Sequence, residues 1–325
     1  MTPPTHRRAA LATLLMLGLP RLAAAQGSWP ERPITLVVPF GPGGIADLTA
    51  RAVAQAMSDA LKVPIVVDNK PSAGSIVGSA AVAQAAPDGY TLLLMSNANA
   101  VSASLFRKLP FDVQKDFAPV GMLGVFDLAL FVGADSKLKS VRELLAAAKA
   151  RPGKLTIGTI AVGSTQHLSA ELFKWRTGID ALIVPYKSSP AVLTALRSGE
   201  IDAAFEILGP MLPQLQAKVV RALAVTSDRR FATLPEVPTM REAGVPDYEV
   251  ASWNALAAPA KTPTAVIERL NAAANEALKN PAVQDKLLGL GVRAQGGTPQ
   301  QLQTLLASEV RHWGEVIRAA KIEPE

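Results

Sequence analysis

Short apolar strands and amphipathic helices alternate along most of this chain, and this order restricts the fold more than any other feature. The run Ile34–Val38 leads into a glycine-rich loop and then into a helix with apolar residues on one face. Two further strand-like runs, Ile65–Val67 and Thr91–Met95, are separated by a second helical segment. A β-α-β-α-β order favours a parallel sheet covered by helices. The sequence therefore predicts an α/β fold.

The same alternation returns in the second half of the chain. Five further strands are expected there, at Leu128–Val132, Leu155–Gly158, Leu182–Val184, Ile201–Phe205 and Ala222–Val225. The chain has 325 residues, of which 49% are apolar and only 18% are charged. This length and composition are sufficient for two domains with packed cores, and they exclude a disordered chain.

The sequence contains no cysteine and only three histidines. The lack of cysteine excludes disulfides, cysteine nucleophiles, iron–sulfur clusters and cysteine zinc sites. Three histidines are too few for a histidine-rich metal centre. We therefore expect no metal and no cofactor.

Residues 1–25 have the pattern of a secretory signal peptide. A basic start, His6–Arg8, precedes the apolar run Ala9–Leu19, whose eleven residues are too few to anchor a chain across a bilayer. The small residues Ala23–Ala25 then provide a cleavage site before Gln26. We expect export to the periplasm, and the pair Arg7–Arg8 leaves the twin-arginine route open beside the general one.

About half of the net positive charge of the chain belongs to this leader. Removing three arginines and no acid lowers the formal net charge from +6 to about +3. The remaining charges are mixed along the chain and form no basic run. Because binding to phosphates needs a clustered basic patch, no nucleic-acid partner is expected.

A glycine-rich loop between the first strand and the first helix is the strongest candidate for a binding site. It consists of Phe40, Gly41, Pro42, Gly43, Gly44 and Ile45. Glycines let a ligand approach the backbone, and the free amides of a helix N-terminus attract anions. Since no lysine or arginine lies between Phe40 and Ala50, backbone amides and water would hold such an anion. The alternative is a plain turn between strand and helix.

Two other interpretations of this loop are weaker. Gly41, Gly43 and Ala46 have the spacing of a dinucleotide fingerprint, with Asp68 after the next strand. The stiff Pro42 and the expected export disfavour a nicotinamide cofactor. Asp47 would repel an anion, so we expect it to fold back onto backbone amides or to order a water.

A second loop comprises Gly163, Ser164, Thr165, Gln166 and His167. Ser164 and His167 could form a nucleophile–base pair, which would make the protein an exported hydrolase. However, Ser164 is also a natural N-cap for the helix that follows, and the sequence has no G-x-S-x-G elbow. The other interpretation is that the amides and hydroxyls of this loop face the glycine loop across a cleft.

Polar residues also follow two other strands, where open α/β sheets usually bind ligands. Ser96 and Asn97 follow one of these strands, and Phe205 and Glu206 lie at the end of the other. Glu206 could equally be a solvated loop acid.

Taken together, many short segments resemble the tripartite tricarboxylate transporter receptor family, also called the Bug family of periplasmic solute-binding proteins. The resemblance extends over the whole mature chain, through Trp29–Ile34, Val37–Gly44, Val66–Pro71, Pro87–Leu92, Lys149–Leu155, Gly163–Leu168, Val184–Lys187, Arg221–Ser227, Leu234–Thr239 and Gly296–Pro299. The sequence departs from the family pattern at Ala46, Ser72, Ser75, Ser188–Ser189 and Asn254. Several of these positions are expected to line the cleft, so the ligand cannot be copied from a relative.

The resemblance implies a binding protein rather than an enzyme, with the two-lobed periplasmic-binding-protein fold of type II. Each lobe would hold a mainly parallel sheet flanked by helices, with the ligand cleft between the lobes. Residues 26–126 and 230–325 would form lobe 1 and residues 127–229 lobe 2, with crossings near Phe126 and Arg229. The implied ligand is a small organic carboxylate, held by both loops when the lobes close. The expected partner is a membrane transporter, or alternatively a sensor, and we expect a monomer.

Overall fold

The computed structural model describes residues 29–160 and 162–324, and the predicted signal peptide lies outside these ranges. The strands are β1 (Ile34–Val38), β2 (Ile65–Asn69), β3 (Thr91–Ser96), β4 (Phe117–Gly133), β5 (Leu155–Ile160), β6 (Ala181–Tyr186), β7 (Ala203–Ile207), β8 (Val220–Val225), β9 (Ala251–Pro259) and β10 (Val292–Ala294). The helices are α1 (Ile45–Leu61), α2 (Ile76–Ala83), α3 (Asn97–Leu105), α4 (Val141–Ala150), α5 (Thr165–Thr177), α6 (Ser189–Ser198), α7 (Leu208–Gln216), α8 (Thr264–Lys279), α9 (Pro281–Gly289) and α10 (Pro299–Ala319). Within the described ranges, no helix is both long and apolar enough to cross a membrane.

The predicted α/β class is confirmed, and the sheets are mixed. β1 pairs in parallel with β2 and β3, and β5 pairs in parallel with β6 and β7. β4 and β9 run antiparallel to their neighbours and join these two parallel groups in the order β2-β1-β3-β9-β4-β7-β5-β6. The carboxyl ends of the parallel strands therefore carry the loops that the sequence singled out.

The strand β4 connects the two halves of the structure. Its first part, as far as Asp127, pairs with β9 and β10, whereas the part from Leu128 onward pairs with β7 and β8. Sequence analysis predicted only the second part. Glycines and register shifts interrupt the alternation in the first part, and bulges of this kind obscure the two-residue period of a strand.

The segment 226–250 returns from β8 to β9 along the edge of the second half. The amide of Met240 donates to the carbonyl of Val225, and the amide of Val250 donates to the carbonyl of Thr226. Apolar side chains of this segment, including Phe231 and Val237, pack in the same cluster as residues of β4, β7 and α6. The predicted second crossing near Arg229 lies within this segment.

The start of α7 packs directly against the turn that precedes β10. A Cβ atom on Gly209 would overlap the carbonyl oxygen of Leu290 and the backbone of Gly291. We expect Gly209→Ala to lower the free energy of unfolding by roughly 1–3 kcal/mol, because backbone on both sides must move apart. Urea unfolding measures this. Gly289→Ala, where a Cβ meets open space, is the control, and equal losses in the two variants would contradict the prediction.

Candidate functional site

The glycine loop leads from β1 into α1 and is open to solvent. Gly41, Gly43 and Gly44 are exposed, and a Cβ on Gly41 or Gly43 would meet nothing within 4 Å. Gly43 has a φ of 82°, a conformation that favours glycine. Gly44 is the N-cap of α1 and provides no side-chain cap for the first amides of this helix. Such amides form a site for an anion.

Asp47 holds this loop in place from the first turn of α1. Its carboxylate accepts hydrogen bonds from the Gly43 amide at 2.8 Å, from Arg51 at 3.0 Å and from the Asn69 amide group at 3.0 Å. Burial opposes the charge, but these hydrogen bonds outweigh it and hold the pKa of Asp47 below its ordinary value. The prediction that Asp47 folds back onto backbone amides is confirmed.

Sequence analysis did not anticipate the two partners of Asp47. Arg51 directly follows the cation-free stretch from Phe40 to Ala50, and its guanidinium also donates to Asn69. Asn69 in turn donates to the carbonyl of Phe40, which ties β2 to the glycine loop. The charge of Asp47 is therefore balanced within the protein, and an anion at the loop does not meet an uncompensated carboxylate.

The second loop opens α5, and Ser164 caps it as predicted. The Ser164 hydroxyl accepts from the His167 amide at 3.1 Å and donates to the carbonyl of Ile160 at 3.1 Å. The His167 ring accepts instead from the Gly163 amide at 3.4 Å. Burial, with a smaller contribution from Lys174, lowers the pKa of His167 to about 4. The Ser164 hydroxyl therefore donates its hydrogen bond to a backbone carbonyl and not to the imidazole, which is not the geometry of an activated nucleophile.

Two predicted site residues from distant segments meet in a buried polar cluster. Asn97 donates to the Thr165 hydroxyl at 3.0 Å, and its carbonyl oxygen accepts from the indole of Trp313 at 2.8 Å. Thr165 also shares a hydrogen bond of 3.2 Å with Ser252, which sequence analysis missed. The cluster fixes the N-terminus of α5 against β9, α3 and α10. Both ends of the Asn97 amide are engaged within the protein.

We expect Asn97→Ala to lower the free energy of unfolding by about 1–3 kcal/mol, because it removes two buried hydrogen bonds at once. The Trp313 indole keeps Glu309 as a partner, and the Thr165 hydroxyl keeps Ser252. Ser252→Ala should cost less, since it keeps both hydrogen bonds of Asn97. Urea unfolding of the two variants tests this order. A smaller loss for Asn97→Ala than for Ser252→Ala would contradict it.

Ser96 and Asn254 face each other across β3 and β9. Ser96 caps α3, accepting from the Ala98 amide at 3.3 Å, while its own amide donates to Asn99. Asn254 is fully buried, and neither atom of its amide group has a hydrogen-bond partner among the described residues. A buried polar group without a partner is costly, so Asn254 is a candidate for ligand contact. In the sequence, only the departure of Asn254 from the family pattern indicated that this residue could contact the ligand.

Glu206 lies at the carboxyl end of β7 and is fully buried. One carboxyl oxygen, Oε2, accepts from Ser189 at 3.0 Å, from the Ile207 amide at 3.1 Å and from Gln166 at 3.3 Å. The other, Oε1, has no partner among the described residues. Burial raises the pKa of Glu206 to about 7, against these hydrogen bonds. The alternative of a solvated loop acid is therefore wrong.

Phe205 points to the opposite side of β7, into the core. Its ring packs 5.6 Å from that of Phe173 and 6.2 Å from that of Tyr248, measured between centroids. The ring is fully buried, and its predicted contact with a ligand stays a prediction.

A surface groove of about 1630 Å³ lies away from these loops, between the start of α4, α7, β8, residues 233–244 and the end of α9. None of the predicted site residues lines it. Its walls carry both acids and bases, including Arg142, Arg221 and Glu242. We place the candidate site at the strand ends, because the uncapped start of α1 and the unpartnered polar atoms of Glu206 and Asn254 lie there. In the part of the chain that the structure describes, no group of three histidine, aspartate or glutamate side chains could hold a metal ion.

Comparison with known proteins decides the family. The model of the tripartite tricarboxylate transporter family receptor matches residues 49–322. The chain belongs to this family. The curated relative BugT from Bordetella pertussis is 39% identical to this receptor over 293 residues, which cover 90% of each protein. The resemblance inferred from the sequence is thereby confirmed.

Two solved structures show the same fold. The periplasmic binding protein BugD has 30% identity and a TM-score of 0.80, with 91% of this receptor and 100% of BugD covered. An R. palustris protein solved with adipate has 36% identity and a TM-score of 0.82, with 91% and 100% covered. The predicted periplasmic-binding-protein fold is confirmed. Since the family consists of receptors and not enzymes, the hydrolase alternative at Ser164 and His167 is wrong.

Proposed function

We propose that this receptor captures a small organic carboxylate in the periplasm and delivers it to a membrane transporter. The observation that carries the proposal is the exposed glycine loop, which leads into a helix without a side-chain cap while Arg51 balances Asp47. A site of this kind selects an anion by hydrogen bonds and not by a paired cation. The related structure with adipate supports a carboxylate as that anion.

The ligand would bind between two lobes that close by a hinge. We assign residues 26–126 and 230–325 to lobe 1 and residues 127–229 to lobe 2. The change of pairing partners of β4 between Asp127 and Leu128 supports the first crossing. The glycine loop belongs to lobe 1, whereas Gly163–His167 and Glu206 belong to lobe 2. A ligand that contacts both lobes only when they are closed shifts the population toward the closed form.

The proposed site comprises the amides of the glycine loop, the start of α5, and the strand ends at Ser96 and Glu206. Closure would present a surface of both lobes to the transporter. We propose that the receptor is exported by its N-terminal signal and acts as a monomer. Uptake of a labelled ligand by cells with and without the gene distinguishes delivery to a transporter from signalling to a sensor.

Thermal unfolding of the mature protein, refolded free of ligand, tests the proposed function. The panel consists of mono-, di- and tricarboxylates, with amino acids and neutral sugars as controls. A ligand at about a hundred times its Kd stabilises the native state by about 2.7 kcal/mol, which raises the midpoint measurably. We expect a rise with at least one carboxylate and none with sugars. A rise with sugars only would overturn the proposal.

A further inference from the structure

The hydrogen bonds of Glu206 are divided unequally between its two oxygens. Among the described residues, Gln166, Ser189 and Ile207 each donate to Oε2, and none donates to Oε1. A carboxylate anion accepts hydrogen bonds at both oxygens, whereas a neutral carboxylic acid accepts at one and donates from the other. The surroundings of Glu206 match the neutral acid, with its proton on Oε1.

The position of this carboxyl group makes it a candidate for ligand contact. Gln166 and Ser189 belong to the starts of α5 and α6, and Ile207 is the last residue of β7 and the N-cap of α7. These helices follow the parallel strands β5, β6 and β7. Glu206 therefore lies among the carboxyl ends of the parallel strands, which is where an open α/β sheet binds its ligand. In the described conformation it is covered, and two of its three neighbours, Ser189 and Ile207, are only partly buried.

We propose that Glu206 is a specificity-determining residue that donates a hydrogen bond from its neutral carboxyl group to an anionic oxygen of the ligand. The inference rests on the proposed function and extends it, because it makes carboxylate binding dependent on a proton held by the protein. When Glu206 ionises, it loses the donor and gains a charge that repels the ligand. Binding above neutral pH must therefore take up a proton.

No charged side chain neutralises Glu206 among the described residues. Its pKa is shifted by burial, which raises it, and by three hydrogen bonds from uncharged groups. The residue of β4 that pairs with Glu206 is Ala129, which carries no charge. Titratable groups on the packed elements have other partners. The His167 ring accepts from the Gly163 amide, Glu171 lies 3.8 Å from Lys174, Tyr186 donates to Glu200, and Asp127 pairs with Arg293. Glu171 is the most useful control, because burial raises its pKa as well.

The test measures affinity against pH by titration calorimetry, with adipate, or the acid that stabilises the protein most, as the probe. From pH 6 to pH 8.5 we expect the wild-type affinity to fall about 30-fold, as linkage to one group of pKa about 7 requires. Titration in buffers of different ionisation enthalpy should show uptake of nearly one proton at pH 8.5. Carboxylate ligands of ordinary pKa stay ionised over this range.

Glu206→Gln is the decisive variant, because its amide mimics the neutral acid: the oxygen accepts from the same three donors and the nitrogen donates to the ligand. We expect it to keep the affinity measured at pH 6 and to lose the pH dependence. Glu171→Gln should retain the wild-type profile. Affinity independent of pH in the wild type, or an unchanged pH profile in Glu206→Gln, would overturn the inference but not the proposed function. Absence of carboxylate binding at every pH would overturn both.

Discussion

Glu206→Gln should stabilise the ligand-free protein by about 3 kcal/mol at pH 8.5 and by less than about 1 kcal/mol at pH 5. Burial raises the pKa of this carboxyl group from 4.5 to about 7. A raised carboxyl pKa means that the folded state favours the neutral form. The favourable contribution of Glu206 to the free energy of unfolding is complete below its pKa in the unfolded state. This contribution is lost as the pH rises through its pKa in the folded state. Glutamine cannot ionise, so the variant avoids this loss.

Urea unfolding of both proteins at several pH values gives the difference directly, and other titrating groups cancel in it. Glu276→Gln is the matched control, because its side chain is 70% exposed and its replacement should give a difference near zero at each pH. A difference for Glu206→Gln that stays constant from pH 5 to pH 8.5 would show that Glu206 remains ionised in the folded protein. Because no ligand is present, this result is independent of the binding function.

The parallel strands and most of the helices were predictable because their information is local, whereas the short helices α3 and α7 were missed. The Ile34–Val38 strand has the same bounds in the structure, and the cap of α5 at Ser164 follows from a serine at a helix start. The first part of β4 and all of β9 were missed. Their residues pair with partners more than a hundred positions away, and bulges interrupt their alternation. Local patterns do not encode such pairings.

For the candidate site, too, the local features were predictable and the long-range contacts were not. The glycine loop and the N-terminus of α5 were visible as strand-to-helix junctions with small residues. The burial of Glu206 was not visible, because it depends on Gln166, which is 40 residues away. The contact of Asn97 with Thr165 spans 68 residues. Sequence analysis thus located the segments of the site, but the state of each polar group depends on how these segments meet.

Gly44→Val should abolish carboxylate binding, with a loss of at least about 100-fold in affinity, while the protein stays folded. Charge-assisted hydrogen bonds from backbone amides contribute about 1.5–3 kcal/mol each, and a branched side chain at the N-cap of α1 prevents the anion from reaching them. The fold should tolerate the change. Gly44 has extended backbone angles, φ −80° and ψ 168°, and a Cβ there would come no closer than 3.8 Å to the Gly41 carbonyl oxygen.

Calorimetric titration with the acid that stabilises the wild type, beside thermal unfolding without ligand, separates binding from folding. Gly289→Val is the matched control, because a Cβ there also meets open space but lies at the end of α9, away from the loops. We expect its affinity to equal that of the wild type. Gly43→Val is unsuitable, since its φ of 82° would strain any branched residue. If Gly44→Val is folded and binds the acid as tightly as the wild type, the anion is not held by the amides of this loop. The polar groups at Asn254 and Glu206 would then be the remaining anchors of the ligand.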